Sequence, residues 1–192
     1  MKKLILLPVL ALGTVLLGLG CGTNAHYVAT GGRENIVSTG EINIQDYLQA
    51  AEDSTKSLLA SGALNRVPNP PAVVGVGRII NNTSQQIDTD LLTKKIRVAL
   101  LQSGKAITST TYGLGGQGED PLAQQMQQQD KTAQRIPDFS LSGKIIQTLA
   151  RAGDTHQATY SFQLSLTDRQ GLAVWEGEKE ITKQGKRASV GF

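Results

Sequence analysis

ATYSFQLSLTD, residues 158–168, alternates without a break: Tyr160, Phe162, Leu164 and Leu166 interleave with Ser161, Gln163, Ser165 and Thr167. Successive side chains of a strand point to opposite faces, so period two predicts a strand with one buried and one wet face. DFSLSGKIIQTLA before it, residues 138–150, and the run 172–182 after it also read as extended. RAGDTHQ and RQG between them carry turn chemistry. Strands over 139–150, 158–168 and 172–182 are therefore expected to form an antiparallel meander. A sheet with one apolar face has to bury that face against something.

The residues upstream supply the cover. In TDLLTKKIRVALLQSG, residues 89–104, Leu92, Ile96 and Ala99 lie at helical spacing with Leu100 beside them, and Lys94, Lys95 and Arg97 take the wet side. Asp88 or Thr89 caps this helix and Gly104 ends it. INIQDYLQAAEDSTKSLLASG, residues 42–62, biases Tyr47, Leu48, Ala51, Leu58 and Leu59 to one face and stops at Gly62. Between the two helices NRVPNPP is a breaker, expected to open the compact fold, and PAVVGVGRII, residues 71–80, is a β-branched run long enough for a buried strand. KAITST, residues 105–110, gives a short strand, and the Gln-rich DPLAQQMQQQDKTAQ, residues 120–134, a weak exposed helix. The fold class is α+β: a small mixed or antiparallel sheet of four or five strands with two or three helices packed on it.

One stretch points elsewhere. In TSTTYGLGGQGEDPLAQQMQQQ, residues 108–129, Gly113, Gly115 and Gly118 fit G-x-G-x-x-G, and Asp138 follows Gly118 by 20 residues. A dinucleotide fingerprint opens the first βαβ unit and leads into an apolar helix packed on the sheet. This one comes late in the domain, and QQMQQQ cannot pack that way. Asp138, between Pro137 and Phe139, starts a strand rather than ending one. The stretch reads as a loop, and no nucleotide is expected.

The chain begins MKKLILLPVLALGTVLLGLGC: two lysines, an uncharged run from Leu4 to Leu19, then small residues and Cys21. That is the layout of a secretory signal, too short for a spanning helix. Cys21 is the sole cysteine, so no internal disulfide can form. LGLGC resembles the lipobox of bacterial lipoproteins, with Gly18 where those boxes usually place a large aliphatic residue. The resemblance implies cleavage before Cys21 and lipid attachment to it. Of 19 Lys and Arg, two lie in the leader, and 16 Asp and Glu face the remainder, so the mature chain is nearly neutral. With no basic stripe interleaved with aromatics, nucleic acid is not expected as a partner. The organisation expected is a signal peptide over 1–20, a lipid-anchored tether over 21–42 and one globular domain over 43–192.

Residues for catalysis or metal binding are sparse. His26 falls in the tether and His156 in an expected hairpin turn. Glu176, Glu178 and Glu180 share one strand face, where an exposed charged edge that discourages strand pairing is preferred over a Ca²⁺ site. No serine stands in a readable triad motif. Lys183, Lys186 and Arg187 read as a solvated basic tail. No catalytic, cofactor or metal residue is expected, and the chain's work is contact with another protein.

AVVGVGRIINNTSQQIDTDLLTKKIRVALLQSGK, then TYGLGG..EDP, PDFSLSGKIIQ and TYSFQLSLTD..GLAVWEGEKEITKQG resemble the peptidoglycan-synthase activator lipoproteins called LpoB, from about Tyr27 to Phe192. The resemblance implies a domain similar to the TolB N-terminal domain, tethered to the outer membrane and facing the periplasm. It implies binding to a class A penicillin-binding protein and stimulation of its transpeptidase and glycosyltransferase activities, with no catalysis and no cofactor of its own. Partner contact is expected at the exit of the first strand, at Arg78, Asn81, Asn82 and Thr83. Enteric members carry a long proline-rich tether and an Asn-Asn-Arg-Thr turn. Here the tether has about 20 residues, reaching at most about 70 Å, and the turn is Asn81-Asn82-Thr83 without the arginine. A structural lipoprotein of an envelope export or appendage system is the alternative, since TolB-like domains serve there too.

Overall fold

The meander is present, and its strands outrun the expected bounds. In the computed structural model, which describes residues 26–29, 32–38, 41–109, 125 and 136–186, β3 spans Phe139–Ala152, β4 Thr155–Asp168 and β5 Ala173–Lys186. Two further strands, β1 (Ala72–Asn82) and β2 (Ala106–Thr108), complete a five-stranded sheet in the order β2-β1-β3-β4-β5. β1 runs parallel to both β2 and β3, whereas β3, β4 and β5 are antiparallel, so the sheet is mixed. Helices α1 (Ile44–Ser61) and α2 (Thr89–Gln102) pack on the same face.

The alternation in β4 sets that face. Tyr160, Phe162, Leu164 and Leu166 are buried, as are Leu141 and Ile145 on β3 and Val74, Val76 and Ile79 on β1. Leu92, Ile96 and Leu100 of α2 meet them as their spacing requires. Asp88 is the cap: its Oδ1 accepts from the N–H groups of Asp90 and Leu91, both at 3.0 Å. In α1 the buried stripe is Tyr47, Ala50, Ala51, Ser54, Thr55 and Leu58, so Leu48 and Leu59, expected inside, lie at its margin. The Thr55 hydroxyl is satisfied by donating to the Ala51 carbonyl at 2.7 Å. Gly62 ends α1 in the left-handed conformation (φ 74°), open to glycine without strain.

Several expectations need correction. The compact fold does not wait for NRVPNPP, because α1 upstream of it lies in the same core. Ile42, assigned to the tether, is only 2% exposed. Gln85 holds it like a neighbouring strand: Ile42 N–H donates to Gln85 Oε1 at 2.8 Å, and Gln85 Nε2 donates to the Ile42 carbonyl at 2.7 Å. Lys183 is not part of a solvated tail. It is the eleventh residue of β5, points to the helix side, and pairs with Asp46 with only 11% of its side chain exposed. His156 lies in β4 opposite Arg151, outside the Gly153–Asp154 turn, with Nε2 buried and unpartnered. Arg97 is half-buried rather than wet. The Gln-rich helix falls outside the described residues except for residue 125, as do Cys21, Arg187 and the three motif glycines.

Candidate docking surface

Both helices cover one face of the sheet, and among the described residues no element packs on the other, which forms a broad floor. Register fixes which residues pave it. Ile80 pairs with Lys144, Lys144 with Gln163 and Gln163 with Glu178, making one row across β1, β3, β4 and β5. Alongside runs Ser142–Ser165–Glu176, and on the other flank Asn82–Ile146–Ser161–Glu180. Arg78 joins from β1, and together with the central rows it lines a shallow depression of about 530 Å³. Positive charge (Arg78, Lys144) therefore sits on β1 and β3, hydroxyls and amides occupy the middle, and carboxylates border the β5 edge.

Arg78 reaches this face because of a β-bulge. Val76 pairs with Leu141 and Ile79 with Gly143, so β1 spends three steps where β3 spends two. One extra residue in a strand inverts the alternation beyond it. Without the bulge, position 78 would follow Val74 and Val76 into the core; with it, Ile79 takes the buried place and Arg78 is exposed. Gly77 sits in the irregular stretch, where an added Cβ would come to 3.4 Å from the Leu141 carbonyl oxygen.

The carboxylates are held, not loose. Glu178 Oε1 accepts from Gln163 Nε2 at 2.8 Å and from the Ser161 hydroxyl, and Glu176 Oε1 accepts from the Ser165 hydroxyl at 3.2 Å. The Gln163 bond, then the Ser161 bond, lowers the Glu178 carboxyl below its ordinary value. The two bonds hold the carboxylate in place on the floor.

The four residues expected at the strand exit divide. Arg78 and Asn82 are exposed toward the floor, with Ile80 between them. Asn81 and Thr83 build the turn instead. Asn81 Nδ2 donates to the Gln85 carbonyl at 2.8 Å, and its Oδ1 accepts from Thr83 N–H at 3.1 Å and Thr83 Oγ1 at 2.7 Å. Lys144, Gln163 and Ser165 were not singled out by the sequence reading. Their signal was available, since they occupy the wet positions of strands whose dry positions were recognised.

Asp138, in the ribose-binding position of the glycine motif, is occupied structurally. Its Oδ2 accepts from Val73 N–H at 2.8 Å, and its Oδ1 pairs with Arg169 at 2.7 Å, fastening β3 to β1 at the start of both strands. A second cleft, of about 910 Å³, runs between α1 and α2 over β5, and the Lys179–Asp53 pair (3.1 Å) lies within it. Among the described residues no three His, Cys, Asp or Glu side chains gather as a metal site requires, and no helix is long and apolar enough to cross a membrane.

The fold is a small α+β domain with a two-signed sheet face opposite its helices. A family model described as peptidoglycan-synthase activator LpoB matches residues 46–181, most of the chain, and the chain belongs to that family. Among solved structures it is similar to the LpoB C-terminal domain from Salmonella enterica (17% identity, 68% of this chain and 97% of that one, TM-score 0.42). It is likewise similar to the LpoB C-terminal domain from Escherichia coli (14%, 68% and 97%, TM-score 0.43) and to lipoprotein GNA1162 from Neisseria meningitidis (17%, 62% and 88%, TM-score 0.39). Among curated proteins none matches.

Proposed function

We propose that this chain is an outer-membrane lipoprotein, lipidated at Cys21 and facing the periplasm, that binds a class A bifunctional penicillin-binding protein and activates it allosterically. Membership of the activator family over residues 46–181 carries the reading. The uncovered sheet face supports it by providing a site for protein contact. Arg78, Ile80 and Asn82 meet the partner directly, extended by Lys144 and by the anchored Glu176 and Glu178. Asn81 and Thr83 serve the same site by shaping the turn that ends β1.

An activator that performs no chemistry can accelerate the synthase only by binding its active form more tightly than its resting form. Shifting a resting population from 1:99 to 99:1 takes about 10⁴-fold preference. The two-signed face offers such discrimination: a partner state presenting acid toward β3 and base toward β5 is favoured, and one with the charges rearranged is repelled. The test is a pull-down of the mature chain with the cognate synthase, followed by glycan polymerisation and crosslinking assays. Saturable binding with a rise in rate is expected. Absence of both binding and rate change would falsify the reading.

A further inference from the structure

Among the described residues, exposed apolar side chains such as Leu101, Ile136 and Leu172 are scattered along the chain, as on any protein surface. The segment leading into α1 is different. Tyr27 is fully exposed, Ile36 is 90% and Val37 64% exposed, and Val28 and Ile44 are also open to solvent. Hydrogen bonds hold the stretch that follows Val28. Gly32 N–H and Asn35 Nδ2 each donate to the Ala29 carbonyl at 2.8 Å, which holds Asn35, the neighbour of Ile36, against Ala29, the neighbour of Val28. Asn43 Nδ2 donates to the Ile36 carbonyl at 2.5 Å, and the Ser38 hydroxyl donates to Asn43 Oδ1 at 2.7 Å. These bonds set Ile36 and Val37 beside the first turn of α1, where Ile44 lies exposed. Gln85 then fixes Ile42 to the domain. At Ile36, Ser38, Glu41 and Ile42 the stretch expected as tether is thus fastened to the fold.

Where this apolar group sits decides what covers it. Tyr27 stands six positions after Cys21, a span of at most about 20 Å. With acyl chains on Cys21, the group cannot move far from the bilayer. A tyrosine there has the amphipathic ring that membrane interfaces favour, and exposed aliphatic side chains gain by leaving water for the acyl boundary. We propose that Tyr27, Val28, Ile36, Val37 and Ile44 make a second membrane contact, which lays this end of the domain against the same lipid surface that holds the anchor. This rests on the lipid attachment proposed above.

The experiment uses the mature, lipidated chain reconstituted in vesicles of phosphatidylethanolamine and phosphatidylglycerol. A spin label is placed by Val37→Cys, with Lys94→Cys on the solvent side of α2 as control, the Cys21 thiol being blocked by its lipid. At position 37 the ratio of collisions with dissolved oxygen to collisions with an aqueous nickel complex should exceed that at position 94 by about tenfold, as for a group at the acyl boundary. Adding Tyr27→Ser and Ile36→Ser, both at exposed positions that the fold does not need, should abolish the difference while the protein stays on the vesicles. Equal nickel access at both positions on vesicle-bound protein overturns the proposal. So does protection of position 37 only after the synthase is added, which would assign the patch to a protein partner. Failure to sediment with vesicles at all overturns the lipid anchor, and this inference with it.

Discussion

Removing the side chain of Gln85 tests whether the domain begins at Ile42. Its amide replaces a strand neighbour for a residue only 2% exposed, through bonds of 2.8 and 2.7 Å, and its Oε1 also takes a weaker contact from the Tyr160 hydroxyl at 3.4 Å. A net hydrogen bond contributes about 1 kcal/mol, and a buried donor left alone costs about 1–3 kcal/mol. The network is part-buried, so water can reach the Ile42 carbonyl more readily than a core group, and the lower end applies: about 2–3 kcal/mol for Gln85→Ala. At about 2–4 °C per kcal/mol for a domain of this size, Tm falls by about 5–10 °C. Gln85→Met keeps the stem without either bond, so it should lose nearly as much and separates hydrogen bonding from packing. Urea unfolding followed by circular dichroism measures the loss, and hydrogen exchange at the Ile42 amide locates it. A Gln85→Met chain within about 0.5 kcal/mol of wild type, with that amide still protected, would refute the reasoning.

Three further outcomes follow from the same geometry. Lys183→Met strands Asp46, 18% exposed, beside the Glu41 carbonyl that Lys183 also bonds; because Asp46 keeps the Asn43 N–H at 2.7 Å and the helix N-terminus, the cost should be about 2 kcal/mol, below the 3–5 of a fully buried pair. A double-mutant cycle with Asp46→Asn reads the coupling. Gly143→Ala places a Cβ 2.4 Å from Leu164 Cδ2 and 2.8 Å from the Gln163 carbonyl oxygen; the leucine can turn but the strand cannot, so a loss of about 1–3 kcal/mol is expected in denaturant unfolding. Glu178 titrates below its ordinary 4.5 in the folded chain, so its contribution to stability is present above that value and is lost as pH falls through the lower folded one. Gln163→Ala should move the Glu178 midpoint back toward 4.5 in a carboxyl-detected NMR titration.

What the sequence made legible was whatever repeats along one element. Tyr160 through Leu166 announce their strand because each side chain answers only to its two-residue period, and Leu92, Ile96 and Leu100 announce α2 in the same way. Positions governed by partners distant in sequence were hidden. Lys183 looked like a tail residue because Asp46, which takes its charge, lies across the fold on α1. Ile42 looked like tether because its strand neighbour is a side chain, Gln85, and no backbone period marks it. Arg78 was picked out at the strand exit, yet what turns it outward is a bulge, whose one trace in sequence is the Gly75–Gly77 pair. The candidate docking floor is the complement of the recognised core: Lys144, Gln163 and Glu178 are legible individually as wet positions, but only register aligns them in a row.

The measurement that bears most directly on the central claim is the rate of glycan polymerisation by the cognate class A synthase, titrated with this protein and with its Arg78→Glu, Lys144→Glu form. Both side chains are exposed, so the variant should fold as the parent does. The account predicts a saturable acceleration by the parent and a curve displaced to far higher concentration by the variant. Superimposable curves, or a synthase indifferent to both proteins, would contradict it.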